Sequence, residues 1–255
     1  MPFLIYAIFS LLWFFPPYKK QGRLGKPKGW TYWKAFLLGL IPATILLLLC
    51  QFAITYLMKQ FSVSSAVYHA VDAFVCAALI EECVKFLFAV LVVKKADVTR
   101  KIDYALLFGA VGLGYQAAET FMMLDSVLSA ILRGAFAYHL MWQMCMGLFF
   151  YEAVRAKEAG NQRRYKWKLL LSFAVPIILH GFNDFIIFMA QDAMAGGSEE
   201  AKGTWILAFV VFLAVMIAFV ILTEKRVFRA ARESREADAE LPDAEPAVDA
   251  SESNP

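Results

Sequence analysis

Little in this chain suits a water-soluble domain. Charged residues make up only 18% of its 255 positions, too few to cover a soluble fold of that size. Its four cysteines, Cys50, Cys76, Cys83 and Cys145, lie far apart in apolar runs, and their spacing supports neither a disulfide framework nor a CxxC metal site. They read as small apolar core residues, and Cys83 is not read as a ligand despite its place beside two glutamates. Histidine occurs three times, as His69, His139 and His180, with no HExxH pair. No basic residue precedes the first apolar stretch, Pro2 to Phe15, so it lacks the positive n-region of a cleaved signal peptide. No convincing internal repeat is visible.

What the chain has is hydrophobic length. Apolar residues reach 60%, with 23 Phe, and they gather into runs near or above the roughly 20 residues that a membrane helix needs. Beyond the short first segment, these cover Ala35 to Met58, Ala70 to Val93, Tyr104 to Leu124, Val127 to Val154, Leu169 to Ala190 and Thr204 to Thr223. The expectation is an all-α polytopic membrane protein of about seven transmembrane helices.

Basic residues mark the sidedness. Six Lys and Arg fall in Tyr18 to Lys34, four in Lys94 to Lys101, six in Arg155 to Lys168 and five in Lys225 to Arg235. The alternate connections carry only Lys59, Arg133 and Lys202, and Lys85 completes the 25. An excess of basic residues marks the cytoplasmic side, so the amino terminus is expected outside and the carboxyl terminus inside. The formal charge of +3 therefore reports topology, and no nucleic-acid footprint is read. The last twenty positions are acidic and proline-bearing, and 225–255 is expected to be a disordered cytoplasmic tail, basic then acidic. Domain organisation follows: 1–69 holds the first two spans and a basic loop, 70–190 a four-helix core, and 191–224 the seventh span with its external loop.

The core run Ala77 to Val93 carries Glu81, Glu82 and Lys85. A charge at a helix centre costs roughly 2.5 to 3.5 kcal/mol on insertion scales, so three in one span point to a functional site. Lys85 is i+4 from Glu81 and i+3 from Glu82, so its ammonium can reach either carboxylate. At about 1.5 Å per residue, His139 falls near the middle of the fifth span and His180 near the middle of the sixth. Glu119 and Asp184 fall in the outer halves of the fourth and sixth. Ionisable groups on four helices thus share one layer, as a common water-containing cavity requires. His180, Asn183 and Asp184 share a helix face, where Asp184 either orients the imidazole or joins it on one ligand. Gly109, Gly112 and Gly114, with Ala110 and Gly114 as a small-xxx-small pair, would bring Glu119 toward the third span. His69, Asp72, Asp103 and Arg133 sit at span ends, where snorkelling accounts for them. Trp30, Trp33, Tyr165 and Trp167 read as interfacial anchors.

Four segments in this order, EECVK, GAVGLGYQAAET, RGAFAYHLMWQMCMG and HGFND, resemble the PrsW-type intramembrane proteases, relatives of the CAAX prenyl proteases and the bacteriocin-processing group. The resemblance covers about Ala70 to Met189. It implies catalytic roles for Glu81, Glu82, His139 and His180, with Lys85, Glu119, Asn183 and Asp184 in support. It also implies a membrane-anchored protein substrate, regulated proteolysis of the anti-sigma-factor kind, and the plasma membrane of a bacterium. Two departures stand out: Thr120 replaces the usual Asn, and bulky Met141, Trp142 and Met144 follow His139.

Amide hydrolysis needs an activated water, an oxyanion stabiliser and a proton for the leaving amine. Glu81 or Glu82 would be the base. His139 and His180, with Glu119 or Asp184, would either hold a metal such as zinc or act directly without one. A second class of function fits the same buried Glu, Lys and His groups, a proton-coupled transporter. Pro176, just before His180, would then interrupt the sixth span.

Overall fold

The computed structural model describes residues 2–23, 25–58, 60–61, 63–123 and 134–240, and every long element among them is helical. Helix α1 is Pro2–Lys20. α2, Gly29–Leu38, passes through a π-helical turn at Gly39–Ala43 into α3, Thr44–Met58. α4, Ser65–Val71, passes through a π-helical stretch at Asp72–Leu79 into α5, Ile80–Ala96. Then come α6, Lys101–Met123, α7, Tyr138–Glu158, α8, Gln162–Gly196, and α9, Glu199–Glu240.

Three of these rods, Gly29–Met58, Gln162–Gly196 and Glu199–Glu240, are long and apolar enough to cross a membrane on length and composition alone. Gln162–Gly196 is the one among them that carries ionisable groups of the polar layer, whereas the rod with Glu81, Glu82 and Lys85 gathers three charges in one span and reads as a membrane helix less clearly.

The packing follows from small residues. α6 lies at the centre, with Ala105, Leu106, Leu107, Phe108 and Val111 fully buried. A Cβ on Gly114 would sit 2.0 Å from the Phe36 carbonyl oxygen, and one on Gly39 would sit 2.0 Å from that of Val111. α2 and α6 therefore touch backbone to backbone. On another face of α6, Gly112 meets the carbonyl oxygen of His139 and Gly109 meets Met144. The close approaches expected of the glycines are real, but Gly114 serves α2, and the third rod is not its partner.

Proline explains the first π turn. Pro42 has no N–H and its ring crowds the preceding turn, and the wider π turn absorbs both defects while the Thr44 hydroxyl donates to the Gly39 carbonyl at 3.2 Å. At one end of the bundle a single carboxylate ties four helices together. Glu152 on α7 accepts from Lys101 of α6 at 2.9 Å, Lys168 of α8 at 2.7 Å and Arg226 of α9 at 3.0 Å.

Several expectations need correction. The fifth apolar run is not one helix: Ala137 adopts a left-handed conformation, φ 41°, and α7 starts at Tyr138. Residues 225–240 are helical, because Val227, Ala230 and Ala231 are buried against the bundle and the Asp238 carboxylate accepts from the Arg23 backbone N–H at 2.5 Å. Asp103 does not snorkel; it is fully buried and bridged by Arg100 at 2.7 Å. His69 and Ser65 both bond Asp192, the former at 2.9 Å. Cys76 and Cys145 are buried, but Cys50 is only half-buried and Cys83 is exposed on the outward face of α5. The indoles of Trp30, Trp33 and Trp167 are exposed. Lys59, Arg133 and 241–255 lie outside the described residues.

Because Gly114 packs against backbone, Gly114→Ala is expected to destabilise the protein by about 1–3 kcal/mol. Gly203→Ala, with nothing within 4 Å of its Cβ, should be neutral or stabilising. Thermal unfolding of both purified variants in detergent checks the contrast, and equal midpoints would refute the backbone contact.

Candidate active site

The site begins with the π-helical stretch. Eight residues of wider helix, Asp72–Leu79, run directly into Glu81 and Glu82, and such stretches are frequent at functional sites. They turn Ala73, Cys76 and Ala78 inward. The Phe74 ring lies where a Cβ on Gly181 would stand, 2.3 Å from its Cδ1, so the glycine beside His180 lets this stretch seat closely on α8.

Glu82 is fully buried and fully engaged. One oxygen accepts from Lys85 Nζ at 2.7 Å and faces His180 Nδ1 at 3.0 Å. The other accepts from Gln143 Nε2 at 2.7 Å. Three partners on α5, α7 and α8 thus hold one carboxylate, as a buried charge requires.

Glu81 is held more loosely. It accepts from Gln51 Nε2 at 3.1 Å and from Lys85 at 3.5 Å, and its Oε2 stands 3.9 Å from His180 Nε2. Beyond it the imidazole nitrogens face two further carboxylates: His139 Nε2 to Glu119 at 3.1 Å and His180 Nε2 to Asp184 at 3.2 Å. Asn183 donates to Asp184 at 3.0 Å. Glu119 and Asp184 are 17% and 21% exposed, against 5% or less for Glu81 and Glu82, so the site opens on their side.

All the candidate residues converge, but His139 arrives by an unexpected route. It is the second residue of α7, presented by the break at Ala137. The polar layer stands because the broken run still delivers the imidazole to Lys85 Nζ, 2.9 Å from Nδ1. Gln116 of α6 accepts the Leu140 N–H at 3.4 Å, satisfying one of the free donors at that helix start.

Other residues here escape a reading limited to ionisable groups. Gln51, Gln116 and Gln143 are uncharged amides inside apolar runs, a signal that intramembrane polarity alone supplies. Gln51 lies on α3, outside the expected 70–190 core. Trp142 carries no sequence signal for its role. Its ring stacks on His180 at 4.3 Å and 21°, and meets His139 edge-on at 5.0 Å. Tyr115 also meets His139 edge-on, at 5.0 Å, and takes Lys85 over its ring at 4.5 Å. Of the bulky residues after His139, Trp142 thus packs against both imidazoles.

Can this set hold a metal? Glu81, His139 and His180 each offer a donor atom, all within 4.8 Å of one another, and two imidazoles with a carboxylate make a familiar zinc set with room for water. On His180, Nδ1 donates to Glu82, and Nε2, which faces the Asp184 carboxylate at 3.2 Å, becomes a ligand once its own proton leaves. His139 is prepared differently. Charged Lys85 has only donors, so Nδ1 accepts and the neutral ring carries its proton on Nε2, toward Glu119. That nitrogen becomes a ligand once its proton leaves and Lys85 supplies one to Nδ1.

Taken together, an apolar helical bundle closed around a carboxylate and imidazole centre able to hold a metal defines a membrane protein with a hydrolytic type of site. Comparison with known proteins makes this specific. The profile of the PrsW family of intramembrane metalloproteases matches residues 26–222, and the chain belongs to that family. It is similar to Protease PrsW of Geobacillus kaustophilus, 31% identical over 127 residues, 48% of this chain and 54% of the relative. It is also similar to Protease PrsW of Clostridioides difficile, 28% identical over 166 residues, 61% and 66% respectively. The chain thus spans between about half and two thirds of these curated relatives. No solved structure matches it.

If the donor set holds a divalent ion, His139→Ala and His180→Ala should each abolish stoichiometric metal. Glu82→Gln, which removes no ligand but disturbs the support of His180 and of Lys85 beside His139, should weaken affinity about 10–100-fold. Metal per protein by emission spectroscopy, followed by zinc titration of the stripped protein, measures this independently of activity. Unchanged metal in His180→Ala would remove His180 from the set.

Proposed function

We propose that this chain is an intramembrane protease that hydrolyses peptide bonds of membrane-anchored proteins. The observation that carries the reading is the buried convergence of Glu81, His139 and His180 within 4.8 Å, in a layer where unpaired polarity is costly. Family membership and the names of the two relatives agree with it.

Glu81 is assigned as general base. It is the less tightly bonded of the two glutamates and faces the open side, so its oxygen can take a proton from water and return it to the leaving amine. Glu82 is a positioning residue that fixes Lys85, Gln143 and His180. His139 and His180 would hold the metal, with zinc the ion proposed, and Glu119 or Asp184 adjoining. When bound, such an ion would acidify its water and polarise the scissile carbonyl. His139 Nε2–H can alternatively donate to the developing oxyanion.

The same reading places the chain in a bacterial plasma membrane with seven spans, the amino terminus outside and the carboxyl terminus in the cytoplasm. Residues 70–190 are then the catalytic core, supported by Gln51 from the preceding rod. Glu119 and Asp184 mark the entrance, so cleavage would fall in the middle to outer half of a substrate span. Regulated proteolysis of a membrane-anchored signalling protein, such as an anti-sigma factor, is the role in keeping with the family.

Purified protein in detergent should cleave single-span substrates. Glu81→Gln and His180→Ala should lose at least about 10²-fold in rate, within the range that acid–base groups supply, while Lys94→Gln stays active. Proton flux in liposomes abolished by the same substitutions, without any cleavage by wild type, would hand the site to the transporter reading. For topology, cysteines introduced at Ala159 and Ala195 should be labelled from opposite sides of sealed vesicles by an impermeant maleimide. Labelling of both from one side would contradict the orientation.

A further inference from the structure

Away from the polar layer, α1, α2 and α6 enclose a cavity of about 310 Å³. Its deep wall is Ala110, Leu113 and Ala117 of α6, all nearly inaccessible, and its lateral mouth is formed by Leu11, Phe15 and Trp33, which are 37%, 45% and 60% exposed. The lining is apolar and opens sideways, where lipid stands in a membrane protein.

One end of this cavity is basic. Tyr18 and Gly29 line that end, and Lys26 Nζ sits over the Tyr18 ring at 3.8 Å. Lys28 directly precedes Gly29 and is the N-cap residue of α2, with no side-chain cap on the helix. Among the described residues neither Lys26 nor Lys28 makes an ion pair, whereas neighbouring Arg100 is committed to Asp103 at 2.7 and 2.8 Å. An apolar slot thus ends at Tyr18, under the Lys26 ammonium, and at the start of α2, where Lys28 is the N-cap residue and a helix start favours anions.

We propose that this is a binding site for an anionic glycerophospholipid, with an acyl chain in the cavity and the phosphate on Lys26 and Lys28. Size argues against a protein helix, since a helix is about 10 Å across and the cavity has the volume of roughly ten waters. Charge selects among lipids: a zwitterionic headgroup brings its own cation to the lysines and gains less. A lipid seated there bridges α1 to α2 and α6, and α6 carries Glu119, Tyr115 and Gln116 into the polar layer. The inference concerns lipid binding and does not depend on the protease assignment.

The test is native mass spectrometry of the full chain in neutral detergent, offered phosphatidylglycerol and phosphatidylcholine with identical acyl chains. Wild type is expected to retain one phosphatidylglycerol at least about tenfold more strongly than phosphatidylcholine. Lys26→Gln with Lys28→Gln should lower that preference about tenfold or more, while Lys94→Gln with Lys95→Gln, equal in charge but on α5, which does not line the cavity, should change it less than about twofold. Ala7→Phe, or Leu11→Trp where the first variant does not fold, should reduce retention of either lipid by filling the slot. Equal retention of the two lipids overturns the proposal. So does an equal loss from the two lysine pairs, which would reduce the effect to diffuse surface charge. A dimer abolished by the cavity-filling variant would assign the surface to a second copy of the chain instead.

Discussion

The burial of the Glu82 carboxylate is the constraint on which the rest of this bundle depends. A fully inaccessible anion in an apolar layer persists only if its lone pairs are occupied, and here Lys85, His180 and Gln143 occupy them. Withdrawing one partner from such a network typically costs about 3–5 kcal/mol, because the remaining charge stays buried. The depth and rotation of α5, α7 and α8 are therefore linked. The glycine contacts of α6 with α2 and α7 hold the surrounding helices close enough for those bonds to form.

The two adjacent glutamates differ in their surroundings. Glu82 points into a shell with no spare donor, and Glu81 points to a space bounded by two imidazoles and bordered by the less buried Glu119 and Asp184. The Trp142 ring against His180 adds rigidity that hydrogen bonds alone do not supply, since stacking limits rotation of the imidazole out of its plane.

Much of this was legible from the chain itself. Charge in an apolar run singled out Glu81, Glu82 and Lys85, and the 3.6-residue repeat put Lys85 within reach of both acids. Common depth grouped His139, His180, Glu119 and Asp184 with them. The uncharged amides Gln51, Gln116 and Gln143 escaped notice because they titrate nothing, although leaving an amide unpaired in an apolar layer is itself costly. The helical extension through 225–240 was hidden because its composition is polar, and only its buried stripe of Val227, Ala230 and Ala231 shows why it folds.

Residue chemistry and spacing, then, determined that the chain is a helical membrane protein with a polar layer, and which ionisable side chains belong to it. Hydrophobic length and the expense of intramembrane charge are local properties, readable in one dimension. Tertiary structure decided the rest: that α7 starts at the layer and does not pass through it, that Glu82 is bonded closely on both oxygens while the contacts of Glu81 are longer, and that an indole covers His180. Each of those depends on which helix faces which, and that is set by close packing at Gly39, Gly109, Gly112, Gly114 and Gly181, whose partners are distant in the chain.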